Sequence, residues 1–401
     1  MRILFVTYGP RPHFFPMAPL AWAGRLAGHE VRVAGAPALV EPLRESGLLG
    51  VSVGADADVS GFLSSGAFRP KAPQPGESQE DALERFISGI VPIGFIRCAA
   101  MVDELIAFAR QWRPDLVIYD PVTFAGPVMA QVIGVPAVCN LYGMARQFRV
   151  EMESLNGSTL RPEYVEQFQK FGVGPPADPA AWIDPCPPSL RWQGAGPAVV
   201  TDAPRLGMRY VTYNGPFLIP QWLIEPPTRP RVVVTWGTTQ EKKLGAEVLE
   251  NARLILSSIA HFDAELIVTV GSTSPEHLRY LEDMPSNVRL VEWTPFHVVA
   301  ETCALVIHTG GTGIVLTSAA CGLPQLGITA LPEGQFNTEQ LAAIGAGRHI
   351  PQSDADSEAI RSAVEALLYE PSYEKKAQAL RQEIEEQPAP GDVVHALEQL
   401  V

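Results

Sequence analysis

Residues 304–314 read Ala-Leu-Val-Ile-His-Thr-Gly-Gly-Thr-Gly-Ile and run on to Gly322-Leu-Pro324-Gln325-Leu326. Within this stretch His308, Thr309 and Thr312 stand among Gly310, Gly311 and Gly313. Glycines let backbone N–H groups approach an anion closely, and a helix start adds about half a positive charge at the same place. The imidazole and the two hydroxyls supply side-chain donors beside those amides, so the turn suits a phosphate or diphosphate. A glycine pair alone would be read as backbone geometry. The flanking donors, and a second turn of the same kind, argue for a site. That second turn, Trp236-Gly237-Thr238-Thr239, follows Arg231-Val-Val-Val-Thr235. Neither turn is a Walker A loop, because no Gly-Lys-Ser/Thr is present. The turn after the first strand, Tyr8-Gly-Pro-Arg-Pro-His13, lacks the G-x-G-x-x-G of a dinucleotide site.

A bound nucleotide diphosphate needs a reaction. His13 follows the first strand and Asp120 closes another strand of the same half. A histidine oriented by a carboxylate is suited to removing a hydroxyl proton. Each has a plainer alternative: a packed histidine in one case, a turn cap before Pro121 in the other. Two Asp-x-Asp pairs, Asp56-Ala-Asp58 and Asp354-Ala-Asp356, have a spacing that can hold a divalent cation. Neither follows a strand beside the phosphate turns, so no metal is assigned.

The elements that must position these residues alternate. In the first half, strands are expected at 2–7, 31–34, 115–120 and 136–140, with helices at 18–28 and 82–112. Repeated strand–helix units imply a parallel sheet with helices on both faces. Segments 53–76 and 146–204 break the rhythm with Gly, Pro and aromatic residues, and read as irregular insertions at the mouth of a cleft. The alternation restarts with strands at Arg231, Ala264, Val288, Ala304 and Pro324, and with helices at 244–260 and 314–321. The expected fold is α/β, with two doubly wound Rossmann-like domains facing each other across a cleft. The domains are 1–214 and 231–388, joined by a proline-rich linker at 215–230, and a helix at 389–401 packs back on the first domain.

A chain of 401 residues accommodates two such domains, and its net charge of −14 argues against nucleic acid or an anionic membrane as partner. Five scattered cysteines show no zinc spacing and read as free thiols of a reducing compartment. The chain opens directly into a strand, and no apolar run approaches the ~20 residues that span a bilayer. The expectation is a cytoplasmic protein.

Taken together, the motifs resemble family 1 glycosyltransferases of the GT-B fold, above all the actinomycete enzymes that attach deoxysugars to macrolide and aromatic polyketide antibiotics. The likeness spans nearly the whole chain. It rests on His13 with Pro19-Leu-Ala-Trp and Ala27-Gly-His-Glu-Val, and on Trp112-Arg-Pro-Asp-Leu-Val-Ile with Pro121-Val-Thr-Phe-Ala. Gly207-Met-Arg-Tyr with Tyr213-Asn-Gly-Pro, the phosphate turn and Gly345-Ala-Gly347 complete it. The middle two are particularly similar to macrolide desosaminyltransferases.

The resemblance implies His13 as catalytic base, Asp120 as its acidic neighbour, and Gly237 and Thr238 as the first diphosphate loop. Trp293 matches the segment that stacks on the nucleobase. The family's phosphate motif usually reads His-His-Gly-Gly-x-Gly-Thr/Ser. Counted back from Gly322-x-Pro324-Gln325, its second histidine is Thr309 and its closing hydroxyl residue is Ile314, so two donors are replaced. The family's sugar-reading Asp-Gln becomes Glu333-Gly-Gln335, and the ribose-reading glutamate becomes Thr317. A neutral residue there suits a dTDP donor, and a weakened sugar-reading pair suits a deoxysugar.

The implied activity is inverting, metal-independent O-glycosylation of a hydrophobic polyketide or macrolide aglycone, with the dTDP-sugar as co-substrate and no cofactor. C-glycosylation of an aromatic ring and a catalytically weak helper subunit stay open as alternatives. So do a homodimer and a cytochrome-P450-like auxiliary protein, without which many desosaminyltransferases work poorly.

Overall fold

Ile3 to Val6 are apolar without a break, and in a strand they point alternately to two sides. Leu4 and Val6 join one hydrophobic cluster while Ile3 and Phe5 join another, so β1 (Arg2–Val6) is buried on both faces. Such a strand belongs in the middle of a parallel sheet. A computed structural model describes residues 1–8, 11–59, 62, 76–143, 149–153, 159–191, 201–236, 246–269, 285–291 and 294–401. It divides into two units, each built on one sheet. The first comprises Met1–Pro187, Arg191–Gly215 and Glu386–Val401, the second Pro188–Leu190 and Pro216–Glu385.

In the first unit, β1 is followed by β2 (Glu30–Gly35), β3 (Gly50–Ser52), β4 (Leu116–Tyr119), β5 (Ala137–Asn140), β6 (Ala181–Asp184) and β7 (Arg205–Gly207). The sheet order is β3-β2-β1-β4-β5-β6-β7, with every pair parallel. Val6 pairs with both Ala34 and Tyr119, so β1 and β4 end level and the residues after them emerge at one edge. The helix Gln79–Trp112 covers one face. Its N-cap Ser78 accepts from the Asp81 amide, and Arg113 ends it in the left-handed conformation.

The second unit carries β8 (Arg231–Thr235), β9 (Glu265–Thr269), β10 (Val288–Val291), β11 (Leu305–His308), β12 (Gln325–Thr329) and β13 (Gly347–Pro351). Their order, β10-β9-β8-β11-β12-β13, repeats the pattern of the first sheet. Both sheets are doubly wound, and both reverse direction between the first strand and the fourth. That reversal opens a crevice at the carboxyl ends of the strands.

The insertion expected at 146–204 is corrected in part. It contains the helix Pro162–Gln169 and β6, and β7 follows directly. β6 escapes a periodicity reading because it has four residues and lies between Pro179 and Pro185. Trp182 and Ile183 nevertheless bury themselves in opposite clusters. Arg149 pins the segment from inside, 3% exposed, with Nη1 2.6 Å from Asp178 Oδ1 and Nη2 donating to the Ala177 carbonyl.

The proline-rich stretch after Gly215 also has structure. Leu223, in the helix Gln221–Ile224, is buried with Val233 and Ile267, and Trp222 lies under Arg231 and Arg289. The helix Pro390–Leu397 packs through Val393, Val394 and Leu397 into the cluster that holds Leu20 and Ala21 of the first unit.

Candidate active site

At the end of β1 the chain turns through the short helix Arg11–Phe14. Phe14 and Met17 are fully buried on either side of the bend, and these anchors hold His13 at the carboxyl edge. Its Nδ1 lies 3.4 Å from Asp120 Oδ1, with the imidazole side chain 20% exposed and the carboxylate 1%. The ring meets the edge of Tyr142 at a centroid distance of 4.8 Å.

Asp120 is held from below. Oδ1 accepts from the Val122 amide, and Oδ2 accepts from the Thr123 hydroxyl at 2.6 Å. Thr123 Oγ1 in turn accepts from the Tyr8 amide, which ties the turn after β4 to the end of β1. Burial alone would raise the Asp120 pKa. The approach of His13, with the Thr123 hydroxyl bond, outweighs it and holds the carboxyl below its ordinary range. Asp120 is therefore a turn cap and a histidine partner at once.

The corresponding edge of the second unit is organised by backbone. His308 pairs with Thr235 in register, so β11 and β8 end level, and Thr309 Oγ1 donates to the Trp236 carbonyl. Gly310 has φ +81°, and a Cβ there would sit 2.4 Å from the Gly334 carbonyl oxygen. Only glycine lets this turn touch the start of the helix Pro332–Ala343. Gly311 is the N-cap of the helix Thr312–Ala320, whose first amides face the turn.

The structure corrects the expectation that His308 donates to the diphosphate. The ring is 2% exposed and points inward. Nδ1 accepts from the Gly310 amide at 2.9 Å, which fixes the proton on Nε2, and Nε2 donates to Gln325 Oε1 at 2.9 Å. Gln325 Nε2 passes the chain on to the Val315 carbonyl. Burial drives the His308 pKa down to about 4, so the ring is neutral. It shapes the turn from behind.

Thr312 Oγ1 donates to Glu333 Oε1 at 3.1 Å and accepts from Asn337 Nδ2 at 3.0 Å; the same Asn337 amide group also donates to the Gly310 carbonyl. Asn337, 1% exposed, was not singled out from sequence. Its signal was available: Glu333 and Asn337 are four apart and share a helix face. Gln335 stands two residues from Glu333, close to the opposite side of the helix, and its amide donates to Glu339. The family resemblance assigns it to reading the sugar beside the turn, whereas its amide bond leads away from the turn. Thr317 is fully buried inside the helix Thr312–Ala320, not open on the turn. Gly237, Thr238 and Trp293 lie outside the described residues.

Among the described residues no cluster of three or more His, Cys, Asp or Glu groups could hold a metal ion. Asp56 accepts from the Ala38 amide, and Asp356 caps the helix Ser357–Tyr369. All five cysteines are free thiols. No helix among the described residues is long and apolar enough to cross a membrane.

Residues 22–237 match the N-terminal domain of the family described as erythromycin biosynthesis protein CIII-like, and residues 253–400 match its C-terminal domain. The chain is 36% identical to the TDP-daunosamine transferase DnrS of Streptomyces peucetius, covering 100% of this chain and 97% of that protein. It is 32% identical to the 10-deoxymethynolide desosaminyltransferase of Streptomyces venezuelae, again over 100% and 97%. Among solved structures, the glycosyltransferase VinC in complex with dTDP superposes with a TM-score of 0.80 at 28% identity, over 100% of this chain and 99% of that one. The chain belongs to the erythromycin biosynthesis protein CIII-like family and is a glycosyltransferase of the GT-B fold.

Proposed function

We propose that this glycosyltransferase moves a deoxysugar from a dTDP-sugar to a hydroxyl of a polyketide or macrolide aglycone, with inversion at the anomeric carbon. The observation that carries the reading is the approach of His13 to Asp120 at the switch point of the first sheet. His13 Nε2 takes the proton of the acceptor hydroxyl while Nδ1 faces the carboxylate. The acceptor oxygen forms its bond to the anomeric carbon from the face opposite the diphosphate, and the anomeric carbon–oxygen bond to dTDP breaks. The departing charge is met by the amides at the start of the helix Thr312–Ala320 and by its dipole.

The donor assignment follows the relatives, a TDP-daunosamine transferase and an enzyme solved with dTDP. The reading includes no cofactor and no metal; Asp56 accepts from the Ala38 amide, Asp354 from the Ser353 hydroxyl and Asp356 from the Ala359 amide. It further includes a cytoplasmic location, where free thiols stay reduced. It favours a chain that works without an auxiliary protein, because the turn is fully braced by His308, Gln325 and Asn337 within the chain itself.

Purified protein given a dTDP-deoxysugar and a panel of macrolactone and aromatic polyketide alcohols should release dTDP and form a glycoside of inverted configuration. Release of dTDP only by hydrolysis, or efficient use of UDP-glucose in its place, would sink the assignment. A tenfold or greater stimulation by extract of a producing strain would overturn the solitary mode.

A further inference from the structure

Arg97 lies on the helix Gln79–Trp112, one turn beyond the point where that helix touches the turn after β4. The contact is marked by Gly94, where a Cβ would come within 2.8 Å of the Phe124 ring and 3.2 Å of the Val122 carbonyl oxygen. Three residues on, Arg97 shares that helix face. Its guanidinium lies over the Tyr8 ring, 5.2 Å from the centroid, where β1 ends. Arg97 therefore stands at the edge that carries His13 and Asp120, and it feels the Asp120 charge.

Its environment is unusual for an arginine. Nε is buried with no hydrogen-bond partner among the described residues. The Tyr8 ring offers a cation–π contact of roughly 0.5–2 kcal/mol, which leaves the buried Nε–H without an acceptor. Buried polar groups are nearly always hydrogen-bonded, and a partly buried guanidinium is costly without an acceptor. Consistent with that cost, burial lowers the Arg97 pKa despite the nearby Asp120 carboxylate.

We propose that Arg97 is a specificity-determining residue for the acceptor, donating to an anionic or strongly accepting oxygen that the aglycone carries near the hydroxyl presented to His13. An acidic phenol of an aromatic polyketide supplies such an oxygen, and its ring matches the aromatic company of Tyr8 and Tyr142. The inference rests on the proposed transfer to an aglycone hydroxyl.

The test uses an aromatic polyketide alcohol with an acidic phenol and its phenol methyl ether, each with the same dTDP-deoxysugar. Wild-type enzyme should show a KM at least tenfold lower for the phenol. Arg97→Gln should remove that difference by raising the KM of the phenol, leaving kcat and the dTDP-sugar KM within about twofold. Arg97→Lys should keep part of the preference, and unchanged melting temperatures establish that both variants fold. Equal loss of kcat on both acceptors with KM unmoved would overturn the inference, assigning Arg97 to the Asp120 electrostatics instead. If wild type glycosylates both acceptors without preference, the inference falls while the transfer reading stands. If it glycosylates no alcohol at all, both fall.

Discussion

Two histidines stand at the carboxyl ends of switch-point strands, one in each sheet, and they live in opposite surroundings. His13 comes after β1, partly exposed, with Nδ1 facing a buried carboxylate. His308 closes β11, fully enclosed, with both ring nitrogens bonded to neutral amide groups. The same side chain at the same kind of position is equipped to exchange protons in one unit and prevented from doing so in the other. What sets their chemistry apart is the partner and the access to solvent.

The largest effect that sharpens this contrast is expected at His13. His13→Ala should lower kcat by ~10²–10⁴ while leaving dTDP affinity nearly intact, since loss of a general base acts on the transition state. Stopped-time product assays and dTDP calorimetry measure the two arms, and near-normal turnover on an alcohol would remove His13 from the mechanism. Asp120→Asn should cost less, roughly 10–10²-fold in kcat, because an orienting amide partly replaces the carboxylate. A loss larger than that of His13→Ala would mean that Asp120 does more than orient.

His308→Ala should act the other way round. It strands the Gly310 amide and Gln325 and opens a hole, so a stability loss of roughly 2–4 kcal/mol and weaker dTDP binding are expected. Urea unfolding measures this, and an unaltered midpoint would contradict the bracing role.

His308 also ties stability to pH. An unfolded histidine takes a proton below about 6.5, whereas the folded ring resists until about 4. Between those values the unfolded chain binds more protons, so stability is lost as pH falls from 6.5 towards 4 and is insensitive to this ring above 6.5. The contribution is roughly 3 kcal/mol at its acid end. A His308→Gln variant should lack this part of the slope. The smallest expected effect is that of EDTA, which should leave turnover unchanged, and strict dependence on added Mg²⁺ would show the metal-free reading to be wrong.

Much of this was legible in the residues themselves. The apolar runs of β1, β4, β8 and β11 and the glycine-rich turn announce two parallel sheets and a tight strand–helix turn. What stayed hidden was orientation. A glycine-flanked histidine looks like a donor until the alternation of β11 is followed: Leu305 and Ile307 share one cluster, Val306 joins the other, and His308 points to the side of Val306. Gln335 misleads for the related reason that helix neighbours two apart point away from each other. Short strands such as β6 carry too few residues for a period to show.

The return of residues 386–401 to the first unit also bears on synthesis. Leu20 and Ala21 reach their buried state together with Val393, Val394 and Leu397, more than 370 positions later. The second unit lies wholly between those segments. On the ribosome, 216–385 therefore emerges complete while the earlier-made unit still lacks its closing helix. The usual sequence in which an N-terminal domain finishes first is inverted, and the part that carries His13 and Asp120 is the last to be sealed.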